Sequence, residues 1–256
     1  MKSLIAFFKK EIMEQIRTKK LLIIGLLFVL FGILSPAIAK ATPLLAEKFG
    51  ESLSESGMTI TVVSVSALDS WVQFFKNIPM ALIAFVILES GIFTKEYRSG
   101  TLVLSLTKGL SRYKVVISKA LVMIMLWTIG YWLCFGITYG VNAYFWDNSE
   151  AQNLIFSVAC SYVFGLWIIM LLVLFSTVFN SNIGVLAGTG GIVLIFTLLN
   201  IIPKIKEYFP TMLMDGNSLI YGLIDTQTYI APLIISLATC VICLIISIPV
   251  FNKKHL

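Results

Sequence analysis

The sequence predicts an all-α integral membrane protein with six transmembrane helices in a single transmembrane domain. Three observations lead there. Of the 256 residues, 58% are hydrophobic and only 12% are charged, about half the charged share of a soluble domain. The apolar residues fall in six runs close to the ~20 residues a helix needs to cross a hydrocarbon core. The basic residues gather in alternate connectors, which is how charge sets orientation in a bilayer.

Residues 1–20 predict an amphipathic interfacial helix. Leu4, Phe8, Ile12 and Ile16 recur every four residues, with Lys9, Lys10, Glu14 and Arg17 on other faces. The first span is 21–39. Ala37-Ile38-Ala39 has the look of a signal-peptide cleavage site. The basic stretch before it is too long for a signal peptide, and further spans follow, so it reads as uncleaved. Residues 40–76 form a net acidic, Ser-rich connector on the outside. The second span, 78–93, carries Pro79 in its first turn. Glu89 lies near the inner end of that span, where Lys95 and Arg98 are its expected partners.

The third span, 120–144, ends in a belt of Tyr139, Tyr144, Phe145 and Trp146, residues that settle at headgroup level. Gly136 and Gly140 have the spacing that lets helices approach closely. The fourth span is 154–179, and a tight inside turn at Asn180-Ser181-Asn182 leads into the fifth, 183–202. The glycine-rich run Gly184 to Gly191 lacks the Lys-Ser/Thr ending of a phosphate loop and is apolar, so it reads as helix packing. Residues 203–229 are broken by Pro210, Gly216 and Gly222 into pieces too short to span. They predict interfacial or re-entrant extracellular helices. The sixth span, 230–251, closes on Lys253-Lys254.

Charge tests this topology. Of nineteen lysines and arginines, six fall in the N-terminal segment, six between 94 and 119 and two at the C-terminus, all on one side. Nine of thirteen acids fall on the other. Both termini are therefore expected inside.

Several functions are disfavoured. No basic stretch is interleaved with aromatics as a nucleic-acid platform requires. Cys134, Cys160, Cys240 and Cys243 all lie in apolar runs, and with His255 as the single histidine they read as packing residues. No metal-binding helix or Ser-His-Asp pattern is legible. Intramembrane ionisable residues are too few for a proton-coupled carrier. No catalytic, cofactor-binding or metal residue is assigned.

The polar segment 94–119 sets Lys95, Arg98, Lys108, Arg112, Lys114 and Lys119 against Glu96 alone. It is either a topology loop or a docking surface for a cytoplasmic partner. Its second half predicts short helices on the membrane surface, with Leu102, Leu104, Leu106 and Leu110 turned inward and Gly100 and Gly109 as punctuation.

Glu96, then Gly100-Thr101-Leu102, Ser111-Arg112 and Lys119 follow one another at a spacing that resembles the ABC type-2 (ABC-2) permease family, the membrane subunits of ATP-driven exporters. Lys10-Glu11 ahead of Arg17 and Lys19-Lys20 resembles the family's N-terminal elbow helix. The resemblance implies that 94–119 is a cytoplasmic coupling region fitting a groove in an ABC ATPase dimer. Its residues would be Glu96, Arg98, Gly100, Thr101, Leu102, Gly109, Leu110, Ser111, Arg112 and Lys119. ATP and Mg would be bound by that ATPase, since this chain has no G-x-x-x-x-G-K-[ST] sequence. The resemblance also implies a second permease subunit, identical or related, met through the first and fifth spans at Gly25, Gly32, Gly184 and Gly188. It implies a pair of short extracellular helices before the last span, and a bacterial cell membrane. The expected cargo is a hydrophobic or antimicrobial peptide. Small lipophilic drugs, sodium, and a non-transporting sensor or channel are the alternatives.

Overall fold

The computed structural model describes residues 2–54, 65–107 and 109–254, and the side chains of 44–54, 203 and 204 lie outside that description. Residues 55–64 of the Ser-rich connector, Lys108 and His255 therefore fall outside the described residues. Within them, all regular structure is helical. The elements are α1 (Lys2–Arg17), α2 (Lys20–Ser54), α3 (Ala67–Glu89), α4 (Thr94–Ser99) and α5 (Thr101–Thr107), followed by α6 (Arg112–Phe145), α7 (Leu154–Val178) and α8 (Asn182–Leu199). Short α9 (Pro203–Lys206) and α10 (Gly216–Ile220) precede α11 (Ile230–Lys253). Six of these helices are long and apolar enough to cross a membrane. This is a multi-pass, all-α membrane protein.

The helices outrun the apolar runs from which spans were read. The first continues through Pro36 and Pro43 to Ser54, well past residue 39. The second begins at Ala67, eleven residues before the expected start at 78, because Ser66-Ala-Leu-Asp69 is a capping box. Ser66 Oγ accepts from Leu68 N at 3.2 Å, and Asp69 Oδ2 accepts from Ser66 N at 3.0 Å. Pro79 consequently lies inside α3 rather than in its first turn. The helix ends at Glu89, before a turn leads into α4. Backbone hydrogen bonding continues wherever a cap or a neighbour supports it, and hydropathy does not mark where it stops.

α2 packs on α3 and α6, and α7 packs on α6, α8 and α11. The core between them is aromatic. Trp127 meets Phe28, Phe85 and Tyr131 at centroid distances of 5.2–5.8 Å. Two glycines give it room: a Cβ on Gly165 would lie 2.1 Å from the Trp127 ring, and one on Gly130 would lie 2.4 Å from Phe28. Neither position was singled out by the sequence, because close approach across helices has no local signal.

A proline inside a helix strips the carbonyl four residues earlier of its donor. Pro36 does this to Gly32, and Thr138 of α6 supplies the replacement, its Oγ1 donating to Gly32 O at 3.0 Å. One turn removes a donor in α2 and the neighbouring helix returns it, so α2 continues unbroken.

The segment between α8 and α11 holds a pair of short helices, α9 and α10, together with the 3₁₀ turns Pro210–Met214 and Thr226–Tyr229. They close one end of the bundle. Ser157 Oγ donates to Gly216 O at 3.0 Å, and Tyr229 OH donates to Asp215 O at 2.8 Å. Trp71 Nε1 donates to Asn148 Oδ1 at 3.0 Å at the same end.

Candidate functional site

At the opposite end, α1 lies across α6 and the start of α2. The apolar stripe expected of an interfacial helix was Leu4, Phe8, Ile12 and Ile16, and the first three of these are half-buried. The residues of α1 buried against the bundle are Phe7, Glu11 and Gln15, while Ile16 is 55% exposed. The two stripes are neighbours on the helix, and ion pairing decides which one turns in.

Lys119 of α6 is 1% exposed, and its ammonium sits 2.8 Å from Glu11 Oε2, 2.9 Å from Glu96 Oε2 and 2.9 Å from the Ile92 carbonyl. The rings of Phe93 and Phe7 lie 5.4 and 5.8 Å from it. A buried ammonium costs several kcal/mol unless paired and hydrogen-bonded, and here two carboxylates and a carbonyl surround it. Lys10 reaches Glu96 from the other side and bridges Glu11 and Glu14, each at 3.0 Å. Burial pulls the Lys10 ammonium down, but Glu96 and Glu11 outweigh it and hold it above the usual lysine range. The carboxylates of Glu11, Glu14 and Glu96 lie within 4.8 Å of one another, close enough to share one cation. All three are within reach of the Lys10 ammonium, which supplies the positive charge there.

A second cluster adjoins the first. Glu89, fully buried, meets Lys20 of α2 at 3.1 Å and accepts from Gln15 Nε2 at 2.9 Å. Its sequence neighbours Lys95 and Arg98 were the expected partners, yet they are exposed and neither bonds to it. The α3–α4 turn carries them away, while α1 and α2 bring Gln15 and Lys20 in. The two clusters bind α1, α2, α3, α4 and α6 into one unit.

From this unit hang α4 and α5. Gly100 ends α4 with φ +67°, and Gly109 follows α5 with φ +88°, left-handed conformations that favour glycine. Only Leu102 of the expected inward leucines is buried. Leu104 is 62% exposed, and Leu106 and Leu110 are half-buried. Residues two apart stand about 200° apart on a helix, so Leu102 and Leu104 cannot share a face. Arg98, Thr101, Val103 and Leu104 form the exposed side.

The segment is tied to the ends of the long helices. Thr94 bonds Asn182 at the start of α8, and Tyr97 OH donates to Ser176 O of α7 at 3.0 Å. Ser111 caps α6 with extended backbone but no side-chain bond. Arg112 spends its guanidinium inside the chain, donating to the carbonyls of Phe251 at 2.8 Å, Asn252 at 3.1 Å and Lys254 at 2.7 Å. These carbonyls lie at the C-terminal end of α11, where a helix runs out of its own donors, although Phe251 O also accepts from Lys254 N at 3.3 Å. Lys254 in turn donates to Thr177 O at 2.9 Å and Phe179 O at 3.1 Å, over the ring of Tyr97.

Residues 5–256 match the ABC-2 family transporter protein profile. The chain belongs to the ABC-2 family. It is the membrane permease component of an ABC transporter, and membership implies association with an ABC ATPase. Comparison with individual curated proteins finds no match.

Of the ten residues expected to couple this permease to its ATPase, the structure separates two groups. Arg98, Thr101 and Gly109 are exposed, with Gly100, Leu110 and Ser111 half-buried. Glu96, Leu102 and Lys119 are buried, and Arg112 is engaged with α11. The ABC-2 residue order thus contains both a surface and its foundation. Sequence reasoning missed Gln15 and Tyr97, and although Lys10-Glu11, Lys20 and Lys254 were singled out it did not pair them with this segment. A readable signal was present in α1, where Phe7, Glu11 and Gln15 put two polar residues on one stripe at spacing four.

The four glycines expected at a subunit interface also divide. A Cβ on Gly188 would lie 2.6 Å from Phe175, one on Gly32 3.0 Å from the Cys134 carbonyl and one on Gly184 3.0 Å from Phe179. These three positions are close-packed against neighbours within the permease. Gly25 alone has no described atom within 4 Å of its Cβ position.

Proposed function

We propose that this permease exports hydrophobic or amphipathic peptides, as one of two membrane subunits driven by a cytoplasmic ABC ATPase dimer that binds ATP and Mg. The exposed α4–α5 surface is the docking face, and the charged end of the bundle, with both termini, is cytoplasmic. One observation carries the reading. A short exposed helical pair, with Arg98, Thr101 and Leu104 outward, is fixed to α6, α7 and α8 at once through Glu96, Tyr97 and Thr94, and Arg112 at the start of α6 ties in the end of α11. A push on that surface is delivered to several spanning helices together, which is what conversion of ATPase closure into transport requires. The second subunit meets the permease on the apolar outward sides of α2 and α8, where Leu22, Leu26, Ile183 and Leu198 are each more than half exposed. The scarcity of charge in the spans favours an apolar or amphipathic cargo over a small ion.

The test is co-purification of the tagged permease with an ATPase encoded beside it, followed by ATP hydrolysis with and without amphipathic peptides. A stable complex whose hydrolysis responds to peptide is expected. Leu104→Asp with Arg98→Glu should abolish the complex while leaving the thermal stability of the permease alone unchanged. A complex that forms normally with both substitutions overturns the docking face.

A further inference from the structure

At the end of the bundle away from α1, the last turns of α6, the turn after them and the first turn of α7 enclose an open notch of about 560 Å³. Tyr139, Ala143 and Trp146 line it from α6, Asp147 from the turn and Ile155 from α7. Its groups are accessible: Asp147 and Ala143 are exposed, Tyr139 is 44% and Ile155 60% exposed, and Trp146 is half-buried. Internal bonds fix the rim. Asn148 accepts from Trp71 Nε1 at 3.0 Å and donates to Tyr139 O at 3.2 Å, so its amide is spent on the fold. Asp147 Oδ1 accepts from Ser149 N at 2.9 Å, a bond that holds its carboxyl below the usual aspartate range and keeps it ionised. Among the described residues, none of those lining the notch is basic. Aromatic rings beside a carboxylate are the surroundings that an ammonium favours. The adjoining ring already holds one, since Lys40 Nζ lies 3.5 Å from the Phe145 centroid, outside the notch.

Depth and magnitude decide the source of that ammonium. From Lys119 to Phe145, α6 rises about 39 Å, more than a hydrocarbon core of about 30 Å, so its last turns stand in the headgroup layer. An exposed carboxylate and an exposed ring each strengthen the binding of an ammonium only about twofold to fivefold. That is too little to gather a free cation from dilute solution. A lipid in the surrounding leaflet needs no gathering, because its headgroup is presented to the notch at high local concentration. We propose that the notch binds a phospholipid whose headgroup carries an ammonium, held by Asp147 beside Tyr139 and Trp146, with an acyl chain against Ile155. The inference concerns the membrane around the permease and does not depend on what the permease exports.

The test uses the full-length permease in phosphatidylglycerol nanodiscs, a matrix without ammonium groups. Two photoreactive lipids are compared, phosphatidylethanolamine with a diazirine on its acyl chain and the same lipid with its amine acetylated. The ethanolamine lipid is expected to label peptides covering 139–155 more strongly than its acetylated counterpart. Asp147→Asn keeps an oxygen to accept from Ser149 N, so the turn folds while the charge is lost. It should lower labelling by the ethanolamine lipid about twofold to fivefold without lowering that by the acetylated one. Asp147→Glu should retain the preference. Trp146→Leu should lower it by a similar factor, and Ala143→Leu should fill the notch and remove it with the melting temperature unchanged. Equal labelling by the two lipids, or a preference indifferent to Asp147→Asn, would make this lipid ordinary solvent of the helices and overturn the proposal. Loss of labelling on adding millimolar free ethanolamine would assign the notch to a water-soluble cation, with the same consequence. A lysine-bearing amphipathic peptide that displaces the probe from the parent but not from Asp147→Asn would assign it to cargo and likewise overturn the lipid.

Discussion

Lys119→Met tests the charged foundation most directly. The substitution keeps length and apolar stem but removes an ammonium that is 1% exposed and lies 2.8–2.9 Å from two carboxylates and a carbonyl. What is left is Glu11, Glu14 and Glu96 facing the single cation Lys10. Glu96 Oε2 has no hydrogen bond of its own and depends on Lys119 for its compensation. Removing one partner of a buried pair costs roughly 3–5 kcal/mol, a factor of about a hundred to several thousand in the folded ratio. Lys10→Met should cost far less, about 1 kcal/mol or below, because that side chain is 42% exposed and water screens its loss. The assay is denaturant unfolding in mild detergent, completed by the double variant Lys119→Met with Glu11→Gln. Removing a carboxylate together with its ammonium should recover a large part of the loss, with a coupling energy of about 1–3 kcal/mol. If Lys119→Met unfolds within ~0.5 kcal/mol of the parent, or if the two substitutions simply add, the network does not hold α1 to the bundle.

Three further expectations follow from single contacts. Thr138→Val withdraws the donor from the Gly32 carbonyl freed by Pro36 and should destabilise by about 1–3 kcal/mol; with Pro36→Ala, which restores the intrahelical donor, most of that cost should vanish in the same unfolding assay. Gly165→Ala places a methyl 2.1 Å from the rigid Trp127 ring and should cost about 1–3 kcal/mol, read as a lowered melting temperature together with a shifted tryptophan emission. Arg112→Gln should loosen the end of α11, read as faster hydrogen exchange at 248–254, whereas the same substitution at exposed Arg98 should leave exchange there unchanged.

Much of this protein was legible without coordinates. Composition and run length are sufficient for six spanning helices, because lipid leaves the backbone no alternative but to satisfy itself within a helix. The order Glu96, Gly100, Thr101, Leu102, Ser111, Arg112 and Lys119 led to the family that the full-length match then established. The positions of Gly100 and Gly109 as helix ends followed from their freedom at positive φ. The beginning of α3 was also written in the chain, as Ser66-Ala-Leu-Asp69, but hydropathy alone passes over a capping box.

Other features had no local expression. Nothing near Glu89 in sequence indicates that Lys20 and Gln15, rather than Lys95, will reach it. Arg112 and Lys119 look alike in a basic loop, yet one closes the end of α11 and the other is buried between Glu11 and Glu96. Nothing in the sequence shows that Cys134, Ile137 and Phe175 crowd the Cβ positions of Gly32 and Gly188 while that of Gly25 stands open. The sequence by itself determined what each segment must be, since helix formation in a bilayer is enforced residue by residue. Tertiary structure alone decided which charges meet and which glycines are used, because those pairings depend on helices remote in sequence arriving at the same depth.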